Sequence, residues 1–212
     1  GPANADLQTT LATAYAAEGQ FERSNTALSA ALSADPTYDP ALLMQVRQQA
    51  TRQDVDGAMA GVDAIIAKSP KNFEAWKLKG DLTLHLKKQP DEALSSFRKS
   101  VEVRPDFIAG HAAALRMLFG QNKLDEVDKQ LAGLKAVAPN HPQTKFFEAQ
   151  LAFQRKDFKL ARSLSQQVLK SAPNNALGLQ LAGATELALN SPLQAEAYLS
   201  KALQIAPELA MA

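Results

Sequence analysis

The chain has 212 residues, with 23 Lys plus Arg against 22 Asp plus Glu, three His, no Cys, and 46% hydrophobic residues but only 6% aromatic ones. A net charge of +1 supplies no concentrated basic surface of the kind that holds nucleic acid or an acidic membrane. The absence of Cys excludes disulfides, cysteine-ligated zinc, iron–sulfur clusters and thiol catalysis, and leaves the compartment open. No apolar run approaches the roughly 20 residues of a transmembrane helix, so a soluble segment is expected. Apolar content carried mainly by Ala and Leu favours helices.

The elements follow a repeat. Pro36, Pro70, Pro105, Pro139, Pro173 and Pro207 are spaced by 34, 35, 34, 34 and 34 residues, which divides the chain into six copies of one unit. Each copy reads as two helical stretches joined by a short polar loop and closed by the proline. Residues 1–4 come first, Gly1-Pro2 resembling the scar left by a protease-cleaved tag. The units then run over about 5–38, 39–72, 73–107, 108–141, 142–175 and 176–209. Loops inside the units are predicted at 18–20, 53–54, 88–91, 121–123, 155–157 and 190–192. Polar starters after the closing proline, among them Asp39 before Pro40, Asn72, Asp106, His141 before Pro142 and Asn175, suit helix N-termini. The second copy carries Gln45 and Gln49 where apolar side chains are expected, so its helices are predicted to be the least regular. Residues 208–212 read as the start of a truncated seventh unit, so a segment of a longer array is expected. Its uncapped ends are expected to favour self-association.

Small residues recur where two helices must touch. Twelve positions before each closing proline stand Ser24, Ala58, Ala93, Val127, Ala161 and Ala195. The first helices carry Ala12, Gly80, Ala149 and Gly183, with Val46 and Leu115 as departures. Small side chains let helix axes approach to the short end of the usual range of about 8–10 Å. Leu28, Phe97, Leu131 and Leu199 fill the remaining space.

This period and pattern resemble the tetratricopeptide repeat, most closely in the third copy with Trp76, Gly80, Ala93, Phe97 and Pro105. The resemblance implies an all-α fold, a right-handed superhelical α-solenoid of six helix-turn-helix pairs forming one array over 5–207. It also implies a concave face lined by the first helix of each pair. Transferred copy by copy, the ligand-contacting positions are Thr9, Thr10 and Thr13; Leu43, Met44 and Arg47; Lys77, Leu78, Asp81 and Leu84; Arg116 and Phe119; Phe146, Phe147, Gln150 and Phe153; and Gln180, Leu181 and Leu187. Of these, Arg47, Lys77, Arg116, Phe119, Phe146, Phe147, Gln150 and Phe153 are the candidate partner-binding residues. For Phe146 and Phe147 the alternative is packing between units, because neighbouring helical residues face about 100° apart. Some relatives grip a terminal carboxylate with paired asparagines. The matching positions here hold Thr10, Met44, Leu78, Ala113, Phe147 and Leu181, so that activity is not expected.

Charge steps along the array, from −4 over residues 1–60 to +3 over 61–104 and +2 beyond. Ordinary solvated helix faces account for this; an acidic end and a basic middle that orient a partner are the alternative. His85, His111 and His141 stand in different copies without a second imidazole one turn away, so no metal or other cofactor is expected, and His141 reads as a turn residue. No phosphate loop or nucleophile elbow occurs, and no enzymatic activity is expected.

Segments 78–81, 138–142, 150–153 and 195–199 are further similar to the tetratricopeptide lipoproteins of the exosortase/PEP-CTERM system. That resemblance implies a scaffold of the bacterial cell envelope, periplasmic or anchored by a lipid outside this segment, linked to exopolysaccharide production and protein sorting. Its partner would be a protein or peptide in the concave groove. A periplasmic module of a polysaccharide secretion channel and the recognition array of a glycosyltransferase remain alternatives.

Overall fold

The computed structural model describes residues 1–208, without the side chain of Pro2, and among them every regular element is a helix. In chain order these are α1 (Pro2–Ala17), α2 (Phe21–Ala34), α3 (Asp39–Thr51), α4 (Val55–Lys68), α5 (Phe73–His85), α6 (Pro90–Val103), α7 (Ile108–Gly120), α8 (Leu124–Val137), α9 (Pro142–Gln154), α10 (Phe158–Ser171), α11 (Ala176–Ala188) and α12 (Pro192–Ile205). First and second helices pair as the period predicts in α1 with α2, α3 with α4, α5 with α6, α9 with α10 and α11 with α12.

Local chemistry explains where the helices start and stop. The side chains of Asp54, Asn72, Asp157 and Asn175 accept from the backbone N–H three residues on, and His141 Nδ1 accepts from Gln143 N–H. Each satisfies an orphan donor of the first turn. Inside every copy the two helices are separated by a residue in the left-handed region: Gly19, Gln53, Lys88, Asn122, Lys156 and Asn190, with φ between 54° and 73°. One such residue reverses the chain within three or four positions.

Three boundaries differ from the expected ones. The sequence pattern puts Pro90 and Pro192 in loops, yet each is the first residue of its helix, where a missing N–H costs nothing. Helix α1 begins at Pro2 rather than near residue 5, since Ala3 and Ala5 extend it readily. The second copy, expected to be least regular, forms two complete helices: Gln45 is exposed, and Leu43, Val46, Ala58, Val62 and Ile65 supply a buried core. The predicted seventh unit, apart from Glu208, lies outside the described residues.

The chain divides into two compact units, residues 1–110 and the part from His111 onward. In the first, α1 and α2 meet where Ser24 Oγ donates to the Ala12 carbonyl at 2.8 Å, and α5 and α6 where Phe97 covers Gly80. Asn72 Nδ2 donates to Asp39 Oδ2 at 3.0 Å, and Tyr38 Oη to Asp6 Oδ1 at 2.7 Å, tying successive copies. In the second, Leu115 and Leu118 of α7 and Val127, Leu131 and Leu134 of α8 are buried, Gln130 Nε2 of α8 lies 2.8 Å from His111 Nδ1 of α7, and Leu199 covers Gly183 between α11 and α12. Arg162 of α10 grips the buried Glu186 of α11 with two hydrogen bonds and reaches Ser191 Oγ at 3.3 Å.

Candidate functional site: a groove on the first helices

In the second unit a groove of about 510 Å³ is lined by Arg116 of α7, by Gln143, Phe146, Phe147, Gln150, Phe153 and Gln154 of α9, and by Leu177, Gln180, Leu181 and Ala184 of α11, with Asn175 at the α11 N-terminus. All of these belong to the first helices of the fourth, fifth and sixth copies. The arrangement follows from register. Arg116, Gln150 and Ala184 occupy one repeat position, and Gln143 and Leu177 another, so side chains 34 residues apart line up across the groove.

The floor is aromatic. Phe147 is only 2% exposed, stacks on Phe119 with ring centroids 6.1 Å apart, and meets Phe146 edge-on at 5.4 Å. Phe153 meets Phe158 in the same edge-on fashion at 5.4 Å. Such pairs contribute about 0.5–1.5 kcal/mol beyond their buried area and hold the rings rigidly. Phe146 and Phe153 are half-buried and present apolar surface to the groove.

The rim is amide-rich. Gln143, Gln150, Gln154 and Gln180 make no side-chain hydrogen bond among the described residues, and Arg116 is exposed. Arg116 carries the only formal charge in the lining, and no carboxylate is paired with it among the described residues.

The candidates therefore separate. Arg116, Phe146, Gln150 and Phe153 come together on the groove surface. Phe147 belongs to its floor, and Phe119, 9% exposed, lies beneath it in the packing of α7. The geometry thus sets Phe119 below the floor and most of Phe147 within it, since a helix can point only one of two neighbours outward. In the first unit Lys77 is engaged by Asp81 at 2.7 Å, one turn along α5. Arg47 lines a separate groove of about 560 Å³ with Thr9, Thr13, Phe21, Met44 and Arg52 among its neighbours. Phe21 is 69% exposed there. Sequence reasoning missed Gln143, Gln154, Asn175, Leu177 and Ala184. The recurrence of the Gln143 position at Leu177, one turn before Phe147 and Leu181, was the available signal.

Of the perturbed ionisable groups, only Glu148 lies near the groove's helices. Burial works to raise its carboxyl, but hydrogen bonds from Lys135 at 2.7 Å and Lys145 at 2.9 Å outweigh this and hold it below the ordinary glutamate value. The group joins α8 to α9 and is structural. Among the described residues no cluster of His, Asp and Glu could hold a metal ion, and no helix is long and apolar enough to cross a membrane.

Paired helices at this period, with small residues at their crossings, make the chain an all-α solenoid of helix-turn-helix repeats with the fold of tetratricopeptide repeat proteins. PilF of Pseudomonas aeruginosa superposes with a TM-score of 0.76 at 17% identity, covering 96% of this chain and 92% of that one. A tetratricopeptide repeat protein of Parabacteroides merdae gives 0.68 at 19%, covering 97% and 80%. YrrB, a tetratricopeptide repeat protein with an unusual peptide-binding site, gives 0.58 at 16%, covering 85% and 93%. Comparison by sequence finds no matching family model and no matching curated protein.

Proposed function

We propose that the protein is an interaction scaffold without catalysis, and that the groove over α7, α9 and α11 binds a segment of a partner protein. One observation carries this reading: first helices of three successive copies line one groove in which Arg116, Gln143, Gln150, Gln154 and Gln180 have no side-chain partner among the described residues. Free carboxamides suit peptide groups, each of which brings one donor and one acceptor, and apolar anchors seated on Phe146 and Phe153 contribute about 1.5–3 kcal/mol each when fully buried. The peptide-binding site of YrrB, a protein of the same fold, supports the same direction.

The finer reading is a scaffold of the bacterial cell envelope serving exopolysaccharide export and PEP-CTERM protein sorting, supported by the resemblance of segments 78–81, 138–142, 150–153 and 195–199. Exposed Leu193, Leu203 and Ile205 on α12 support association with a second copy as part of it. The test of the scaffold is selection of binders from a random peptide display library on the purified chain. Selected peptides should lose affinity at least tenfold on Phe146→Ala with Phe153→Ala, at unchanged helicity by circular dichroism. Retained affinity would remove the groove from the function.

A further inference from the structure

We propose that the groove of the second unit is selective for an extended peptide segment in which a large apolar side chain lies next to a carboxylate. Arg116 pairs the carboxylate, and Gln150 and Gln180 meet the adjoining peptide groups. The inference rests on the peptide-binding reading above and adds the chemistry of the ligand.

Charge complementarity is its ground. The second unit contains three arginines, and two are matched inside the protein: Arg155 by Asp128 and Arg162 by Glu186. Arg116 is the third. It stands on the groove wall with no carboxylate among the described residues, and no Asp or Glu occurs anywhere in the lining. A guanidinium offers five donors in a planar fork that fits a carboxylate bidentately, and it is the usual choice where such a pair forms beside apolar surface. Half-buried Phe146 and Phe153 and the exposed Leu177 supply that surface. A ligand seated on them also covers Arg116 from water, which strengthens its pairing with an acid and penalises a base.

The same lining disfavours a glycan. Sugar hydroxyls both donate and accept, and the groove lining has no carboxylate, the strongest acceptor for their O–H groups. A single cation is likewise too little for a polyanion, whose binding grows with the number of charges neutralised.

The test uses fluorescence anisotropy on the whole chain with three fluorescein-labelled octapeptides. Each has a central Phe-Leu pair followed by Asp, Asn or Lys. The Asp peptide should bind about tenfold more tightly than the Asn peptide, with the Lys peptide weakest. Arg116→Gln should bring the Asp peptide to the level of the Asn peptide and leave the latter unchanged. Arg116→Glu should make the Lys peptide the best ligand. Arg116 is exposed, so circular dichroism should show both variants folded. Equal binding of the three peptides, or an unaltered ranking in Arg116→Glu, would overturn the carboxylate preference; the groove reading would still stand if Phe153→Ala weakened all three. No binding to the wild type would overturn both. An oligogalacturonate that competes more strongly than any peptide would assign the groove to an acidic glycan and overturn the inference.

Discussion

Gly80→Ala is a sharp test of the packing between α5 and α6. By helix propensity alone the substitution stabilises, because alanine is favoured over glycine in a helix interior by about 1 kcal/mol. The structure reverses the sign. A Cβ at Gly80 would stand 2.6 Å from Phe97 Cδ1 and 3.0 Å from its Cζ, against about 3.5–4.0 Å for ordinary carbon contacts. Phe97 is 1% exposed and its ring is stiff, so the helices must separate or the ring must leave its rotamer. Overpacking of this kind costs about 1–3 kcal/mol, and a clash this deep belongs at the upper end. The net expectation is a loss of about 1–2 kcal/mol. With a urea dependence of about 1–3 kcal/mol per molar, the midpoint falls by roughly 0.5–1.5 M. Fluorescence of Trp76, the only tryptophan and itself on α5, reports unfolding at the site directly. Gly120→Ala is the control. It too is a helical glycine, but an added Cβ there meets nothing within 4 Å, so the same change should stabilise by up to about 1 kcal/mol. If Gly80→Ala proved as stabilising as Gly120→Ala, the close approach of the two helices would be refuted.

Other expectations concern the second unit. Glu186→Gln breaks the pair with Arg162, and because the Arg162 side chain is 38% exposed and can recover water, the loss should be about 1–3 kcal/mol rather than that of a fully buried pair, read from urea unfolding by circular dichroism. Ser165→Ala should stabilise by about 0.5–1.5 kcal/mol in the same assay, since the Ser165 hydroxyl is buried without a hydrogen-bond partner. Glu148 has a folded pKa below its ordinary value, so its contribution is complete above about pH 4.3 and is lost as pH falls through the folded value. Glu148→Gln should therefore flatten the acid side of a melting-temperature profile taken from pH 6 down to pH 3. A wild-type slope in the variant would show that the two lysines do not act on this group.

Much of the architecture was legible because the chain repeats. The proline spacing located all twelve described helices, and the small residues at Ala12, Ser24, Gly80, Ala93, Gly183 and Ala195 located crossings that the packing reproduces. Local sequence is ambiguous where one residue has two uses. Pro90 and Pro192 break a helix when placed inside it and start one when placed first, and residue type does not say which. Likewise Gln45 in the second copy looked like a defect, but it stands on the exposed face of α3.

The site was legible by column and not by side chain. Register places Arg116, Phe146, Gln150 and Phe153 on the helices that line the groove, but does not decide between Phe146 and Phe147 or show that Phe119 lies beneath the floor. Those outcomes depend on how far each helix is rotated against its neighbours, and rotation is set by the sum of packing contacts rather than by any local signal. The pairing of Lys77 with Asp81 was implicit in their spacing of four; that Arg116 has no such partner is a property of the assembled helices. The sequence by itself determined the period, the helices and which helices line the groove of the second unit, because periodicity is written one residue at a time. Tertiary structure alone decided which of those residues are spent inside the protein and which remain available, because burial and pairing are settled between helices distant along the chain.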